Sequence, residues 1–441
     1  MINNNKDISN ITNYSNNENI KEFLLIKNNS KYYFLVIKQI NNIIIKCKNY
    51  YIDLNLDNIF QIFQINYDSI EKSFIYIINL FNEEKIIIME IIDNEMIKLS
   101  IKNATNICFN LIYSAEPNNL IYFFNITKDS FSSSPMENTF SIFKSINNIV
   151  YLIYATKDKT IKCLNLFKNK IIAEIKNAHY KFITNFKHYY DYNRKADIIM
   201  SISSDDNEIK LWNVNNWECI LHLNKINKGG NLLSACFLEE NKNFLIVTSN
   251  FEIFSDPDSI KIYNDKGNII KEIINSRDNT FFIEVFFDKI KSINYIITCN
   301  INFVKSYDYS KNIIYHKYYE CNNSYHNSFV INCCNNIVNL IELCNDGNIR
   351  IWDFHLNILL NKIKVDNNGL TSACIWNDNY ILVGCKNKGF KLLELNEKKI
   401  KKLLKTNNSI IYAIEIIDHP KYGKSLITQG TFFEQIKFWI N

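Results

Sequence analysis

From about Thr139 to its end the chain is a succession of short apolar runs separated by polar turns, without helical periodicity, and such a pattern dictates an all-β fold. Two stretches share one form. In Ile198-Ile-Met-Ser-Ile-Ser-Ser-Asp-Asp-Asn-Glu-Ile-Lys-Leu-Trp-Asn213 an apolar strand ends in a polar turn, and an alternating strand then closes on Trp212. Cys344-Asn-Asp-Gly-Asn-Ile-Arg-Ile-Trp-Asp353 repeats that form around Trp352. Aligning the rest on the Trp position gives Leu164, Trp212, Tyr263, Tyr307, Trp352, Leu393 and Trp439, spaced near the roughly 40–45 residues of a four-strand repeat. Four of these units keep the alternation and lose the indole.

These two units, with the Trp352-Asp353 dipeptide and the period, resemble the WD-repeat family, and the likeness covers about the last two-thirds of the chain. It implies a seven-bladed β-propeller. Each four-stranded unit has two faces to bury, so neighbours must stack radially and the ring must close to remove its edges. The chain stops at Ile436-Lys-Phe-Trp-Ile-Asn441, one strand short of a last unit, so an earlier strand has to supply it. Leu120 to Thr127 is the first candidate and Thr139 to Ser145 the alternative.

By the same resemblance, a buried network joins a His in the loop before a blade, a hydroxyl on its second strand, an Asp in the next turn and the Trp. The matching positions are His179, Asp206 and Trp212, with Ser201 or Ser203 as the hydroxyl, and then His326, Asp346 and Trp352. Imidazole beside carboxylate also suits catalysis or metal binding, but the repeat accounts for both groups, so no catalytic residue, metal or cofactor is expected. Recognition would lie on the turns and loops of one face. Phe251 and Phe254 in one long turn, Phe432 and Phe433 in another, and Tyr180 and Asp205 beside the network are the candidate partner-binding residues, because a few large side chains dominate most interfaces.

Ahead of the repeats the pattern changes. Residues 1–21 are Asn-rich and poor in apolar side chains, as a disordered tail is. Residues 22–114 suit a small α+β domain: Lys31 to Lys48 reads as two strands around Asn41-Asn42, and a helix is expected over Leu56 to Gln64. A second follows Asp68-x-x-Glu71, which has the form of a capping box, with Ile70, Phe74, Ile77, Ile78 and Phe81 on one face. Lys85 to Ile92, Met96 to Ile101 and Ile107 to Tyr113 read as strands. Residues 115–137 form a linker able to supply the closing strand, and 138–441 form the propeller.

Composition narrows the function. Of 50 basic residues only three are Arg, Gly occurs 9 times and Pro 4 times, and Asn, Ile and Lys dominate, as in the very AT-rich genomes of some protists; motifs built on Gly or Arg are eroded in such a chain. A net charge of +5 forms no basic stripe, which argues against a phosphate backbone as partner. The cluster Lys398, Lys399, Lys401, Lys402 and Lys405 alternates with apolar residues as on a solvated hairpin. The start has no apolar leader and no stretch reaches the roughly 20 apolar residues that span a bilayer, so a cytoplasmic or nuclear protein without membrane insertion is expected. The twelve cysteines show no Cys-x-x-Cys pair, and reduced thiols are expected. With no phosphate-cradling Gly loop, metalloprotease helix or nucleophile elbow, the sequence points to a non-enzymatic scaffold or adaptor that holds other proteins in a multiprotein complex. A substrate receptor of a ubiquitin ligase is the alternative, although Trp352-Asp353-Phe354-His355 has His where that class carries Arg. An enzyme whose site is not visible as a motif is the other, and a central pocket with converging carboxylates would favour it.

Overall fold

The computed structural model describes residues 19–127 and 140–441, apart from segments 28–29, 64–68, 84, 93–95, 102–107, 114–116, 118–119, 227–231, 250–258, 274–278, 321–325, 335, 388, 405–409 and 431–435. The chain is mainly β. The first strands are β1 (Ile20–Lys27), β2 (Ser30–Lys38), β3 (Ile43–Cys47), β4 (Tyr50–Leu54), β5 (Ile86–Ile92), β6 (Met96–Ile101) and β7 (Cys108–Tyr113). They form one antiparallel sheet in the order β1-β2-β3-β4-β7-β6-β5, with helices α1 (Leu56–Phe63) and α2 (Ile70–Asn82) inserted between β4 and β5. Phe74, Ile77 and Phe81 of the apolar helix stripe are buried against Phe34, Val36, Ile43 and Ile45, and Phe81 stacks on Phe23 at 4.7 Å. The helix cap differs from the one expected. Ser69 takes that position, its hydroxyl accepting from the Lys72 amide at 3.3 Å, while Glu71 pairs with Lys38; Asp68 lies outside the described residues. Lys46 on β3 is buried with no hydrogen bond to its Nζ among the described residues, and burial pushes its pKa down to about 7.

The expected tail of residues 1–21 already contributes Ile20 and Lys21 to β1; residues 1–18 lie outside the described set. The compact units also differ from the boundaries drawn on composition. One gathers residues 1–125, 416–427 and 437–441, the other residues 126–415 and 428–436. Pairing explains the first grouping. The Glu22 carboxylate accepts from Tyr422 Oη at 2.6 Å and pairs with Lys421, and Asn49 Oδ1 accepts from the Lys424 amide at 3.2 Å. A side chain on Gly423 (φ +73°) would meet that Asn49 oxygen at 2.5 Å. Further on in the same unit, β8 (Ile121–Asn125) pairs antiparallel with the chain's last strand.

Four-stranded sheets make up the rest. The first comprises β9 (Phe140–Lys144), β10 (Val150–Ala155), β11 (Ile161–Asn165) and β12 (Lys170–Ile175); the second β13 (Asn185–Asp191), β14 (Ala196–Ser203), β15 (Glu208–Asn213) and β16 (Cys219–Leu223). The third is β17 (Ala235–Glu240), β18 (Asn243–Thr248), β19 (Ile260–Tyr263) and β20 (Ile269–Ile273), and the fourth β21 (Thr280–Asp288), β22 (Ile293–Asn300), β23 (Val304–Asp308) and β24 (Ile313–Tyr318). The fifth is β25 (His326–Cys334), β26 (Ile337–Cys344), β27 (Asn348–Asp353) and β28 (Ile358–Lys364), and the sixth β29 (Leu370–Ile375), β30 (Tyr380–Cys385), β31 (Gly389–Glu394) and β32 (Lys399–Leu404). The seventh, in the order β33-β34-β35-β8, combines β33 (Ile411–His419), β34 (Gly423–Gly430) and β35 (Lys437–Ile440) with the much earlier β8.

A single irregularity recurs in all seven. Each third strand meets its outer neighbour with a register shift immediately before Leu164, Trp212, Tyr263, Tyr307, Trp352, Leu393 or Trp439, the residues aligned from sequence, and all seven side chains are buried. A bulge adds local twist and turns a large side chain inward. Two residues earlier stands a basic residue every time: Lys162, Lys210, Lys261, Lys305, Arg350, Lys391 and Lys437.

That basic residue fastens neighbouring sheets together. Lys210 Nζ donates to the Ala178 carbonyl at 2.7 Å and Lys261 to that of Ile226 at 3.3 Å, while Lys391 reaches the Val365 carbonyl and Asp366. Ala178, Ile226 and Val365 lie in the segments that enter the second, third and sixth sheets. Their own amides donate backwards to turns of the preceding sheets, at Lys159, Asn207 and Gly347, over 3.1, 3.3 and 2.9 Å. The backbone of one residue therefore bonds two sheets. At Gly347 (φ +78°) the incoming peptide lies so close that a Cβ would sit 1.8 Å from the Asp366 carbonyl oxygen.

Phe438, Trp439 and Ile440 of β35 are buried, and Trp439 meets Tyr122 of β8 edge to face at 5.7 Å. Deleting residues 437–441 exposes this apolar surface and leaves β8 without its partner. The shortened chain is expected to lose its cooperative unfolding transition in circular dichroism, whereas a soluble protein with a sigmoidal melt would contradict the role given to β35.

Candidate functional site

The aligned aromatic positions lead to two polar networks. In the second sheet, the Ser201 hydroxyl lies 2.7 Å from His179 Nε2 and accepts from Trp212 Nε1 at 2.8 Å. All three are buried. Of the two candidate hydroxyls, Ser201 is thus the one that links imidazole and indole, because it sits one strand-rung from Trp212 on the same face of β14. Ser203, two residues further, instead donates to Asp206 Oδ2 at 2.9 Å, which also accepts from the Lys181 amide at 2.5 Å. His179 Nδ1 faces Glu208 at 3.4 Å rather than Asp206, and Glu208 also approaches His222 at 3.2 Å and Lys210 at 3.7 Å. Burial first, then Lys210 and His222, pushes the His179 pKa down to about 3, so the ring is neutral.

His179, Asp206 and Glu208 could each offer one ligand atom to a metal ion. The hydrogen-bonding already assigned to Asp206 and to His179 Nε2, and the Lys210 ammonium 3.7 Å from Glu208, fit a structural network better.

The fifth sheet solves the same problem with charge. Glu342 pairs in register with Arg350 as Ser201 does with Lys210, and Trp352 Nε1 donates to Glu342 Oε2 at 2.9 Å. The Arg350 guanidinium is fully buried; it bonds Asp346 Oδ2 at 2.6 Å, pairs with Glu320 and lies 3.8 Å from Glu342. Despite the burial that opposes ionisation, these bonds hold the Asp346 carboxyl far below the ordinary carboxylate range. Breaking such a set by removing one partner would strand a buried charge. His326 begins β25, paired in register with Cys344.

Of the candidate partner-binding residues, Tyr180 is 77% exposed, with the ammonium groups of Lys159 and Lys181 each 5.6 Å from its ring centroid. Asp205 is exposed on the turn between β14 and β15, and Phe182, which was not among the candidates, is exposed two residues after Tyr180. Phe251, Phe254, Phe432 and Phe433 lie outside the described residues.

Sequence reasoning missed a cavity of about 500 Å³ lined by first strands of several sheets. Lys187 on β13, Glu284 on β21 and Glu415 on β33 line it. Lys187 pairs with Glu284. Burial opposes the lysine's charge, but the Glu284 carboxylate outweighs it and raises its pKa. Glu415 is pushed up to about 7, chiefly by desolvation, against the pull of Lys187 and with the push of Glu284. The available signal was a lone charge inside an apolar run, as in Phe281-Phe-Ile-Glu-Val-Phe-Phe287. Among the described residues no helix is long and apolar enough to cross a membrane, and no cysteine is in a disulfide.

No protein-family model matches the chain, and no curated protein matches it. The sites above therefore rest on geometry.

The neutral histidines make stability depend on pH. His419, pushed down to about 3 by burial and then by Lys421, behaves as His179 does. In the unfolded chain both titrate near 6.5, so between there and about 3 the unfolded state binds more protons. Their contribution is intact above pH 6.5 and declines as pH falls, by about 1.4 kcal/mol per pH unit for each histidine at the steepest. Urea midpoints are expected to drop between pH 7 and 5, less so in His179→Gln.

Proposed function

We propose that the seven four-stranded sheets are the blades of a WD-repeat β-propeller, and that the protein is a non-enzymatic scaffold holding partner proteins on the face made by its turns and blade-entry loops. One observation carries the repeat reading. A bulge and a basic residue recur at one register in all seven sheets, including units whose Trp has become Leu or Tyr. Degenerate motifs over a constant backbone device are what drift in a repeat protein leaves behind. The strand β8, paired with β35, supports closure of the ring by an early segment.

Support for recognition comes from the second blade. Tyr180 and Phe182 stand open on the loop that also carries the structural His179, so a rigid network holds the base of an exposed aromatic pair. Lys159 and Lys181 flank the tyrosine, which favours a partner with acidic residues around an apolar contact. The ligase-receptor alternative loses weight at His355. Its Nε2 lies 3.1 Å from Asp288 and its Nδ1 meets Lys291 and Tyr315 at 3.0 and 3.2 Å, so the side chain is engaged within the fold. The enzyme alternative has one observation in its favour, the convergence of Glu284 and Glu415 on a cavity.

Affinity purification from the protein's own cells, with mass spectrometry, tests the scaffold reading. The native chain is expected to retain a stable set of proteins that Tyr180→Ala/Phe182→Ala loses while keeping the native melt. A folded native protein that retains none would overturn it.

A further inference from the structure

Lys187, Glu284 and Glu415 occupy equivalent places on their strands. Each lies four residues before the side chain that caps the following turn: Asp191 accepts from the amides of Asn193 and Arg194, Asp288 from those of Ile290 and Lys291, and His419 Nδ1 from those of Lys421 and Tyr422. The register agrees for the first two, since Lys187 pairs with Met200 and Glu284 with Ile297, each one residue beyond the partner of the aligned aromatic. The same rung thus presents one ammonium and two carboxylates to a single cavity. Only one carboxylate is matched.

Lys187 is taken by Glu284. Glu415 is exposed and lines the cavity, and no hydrogen bond reaches its carboxylate from the described residues. The remaining lining cation, Lys386, follows β30 and donates to Asn345 Oδ1 at 2.6 Å, away from this rung. Around the charged rung the wall is mixed: Asn185, Ser328, Thr371 and Ser372 contribute polar groups, and Phe282, Phe329, Tyr412 and Ile414 an apolar and aromatic stretch. Phe282 and Phe329 meet edge to face at 5.4 Å, and the Lys187 ammonium already lies 5.6 Å from the Phe282 centroid, so these rings accept a cation. A carboxylate with no hydrogen-bonded partner among the described residues, near a lysine already bonded to Glu284 and beside an aromatic stretch of wall, selects a ligand with one positive charge and a hydrophobic body.

We propose that this cavity binds a small amphipathic organic cation, a primary alkylammonium, whose charged head is held by Glu415 and whose chain lies along the aromatic wall. The site is separate from the exposed Tyr180 surface and stands whether or not that surface binds proteins. The other titratable groups lining the cavity are Lys187, Glu284, Cys374, Lys386 and Tyr412. Lys187 stays charged through its bond to Glu284, and burial raises the Tyr412 pKa, so that phenol stays neutral. Glu415 is the group that changes state near neutral pH, and cation binding strengthens as it ionises above about 7.

Calorimetric titration of the full chain with n-hexylammonium, n-hexanol and n-hexanoate tests this. At pH 8 hexylammonium is expected to bind about tenfold or more tighter than the other two, and to weaken at pH 6. Glu415→Gln, close to isosteric, is expected to remove both the preference and its pH dependence while keeping the native melt. Equal binding of hexanol, preference for hexanoate, or no saturable binding of hexylammonium would overturn the proposal, and these three are read on the native protein. So would a folded Glu415→Gln variant that binds hexylammonium as the native chain does.

Discussion

The residue that enters the second, third and sixth sheets, bonded backwards through its amide and forwards through its carbonyl, is the contact that ties each of them to the sheet before it. A four-stranded sheet has two faces and two edges to satisfy, and packing of apolar faces alone permits sliding. Ala178, Ile226 and Val365 remove that freedom, because each is fixed to a turn of the sheet behind and to a lysine of the sheet ahead. A neutral hydrogen bond contributes about 1 kcal/mol net and one to a charged donor about 1.5–3 kcal/mol, so each such peptide is comparable with the burial of one aliphatic side chain. Where the fifth sheet lacks this form, the buried Arg350 reaches the Glu320 carboxylate in the corresponding entry segment.

The same device explains how four units hold Leu or Tyr where three hold Trp. The tryptophan of the second sheet bonds Ser201 and that of the fifth bonds Glu342, but the backbone bulge that seats the side chain is kept with Leu164, Tyr263, Tyr307 and Leu393. What the fold needs there is a buried bulky group on a twisted strand. The polar network is an added source of specificity, in one sheet through His179 and Ser201 and in another through Glu342 and Arg350. With the frame fixed in this way, positions that face outward or into the cavity are free to diverge, and both proposed binding sites lie at such positions.

Much of this was legible in the sequence. The period of the aligned residues located every third strand, because strand alternation and turn residues act locally. The cap of α2 falls one residue later than expected, since Asp68 and Ser69 are both competent cap residues in sequence and the Ser69 oxygen accepts from the Lys72 amide. The choice between Ser201 and Ser203 was equally undetermined: both point to one side of β14, and which meets the indole depends on the register with β15. The cavity was illegible for a stronger reason. Lys187, Glu284 and Glu415 are far apart in sequence, and nothing local reveals that their strands face a common space. The basic residue two positions before each aligned residue is also visible in the sequence, and it is constant where the aligned residue varies among Trp, Tyr and Leu.

Amide hydrogen exchange tests the central role of the bridging peptides most directly. If they couple the sheets, the amides of Ala178, Ile226 and Val365 exchange as slowly as those of the strands beside them, and Lys261→Met speeds exchange at Ile226 while Ala178 and Val365 keep their protection. Fast exchange at all three in the native protein, or an unchanged Ile226 in a folded Lys261→Met variant, would contradict the account.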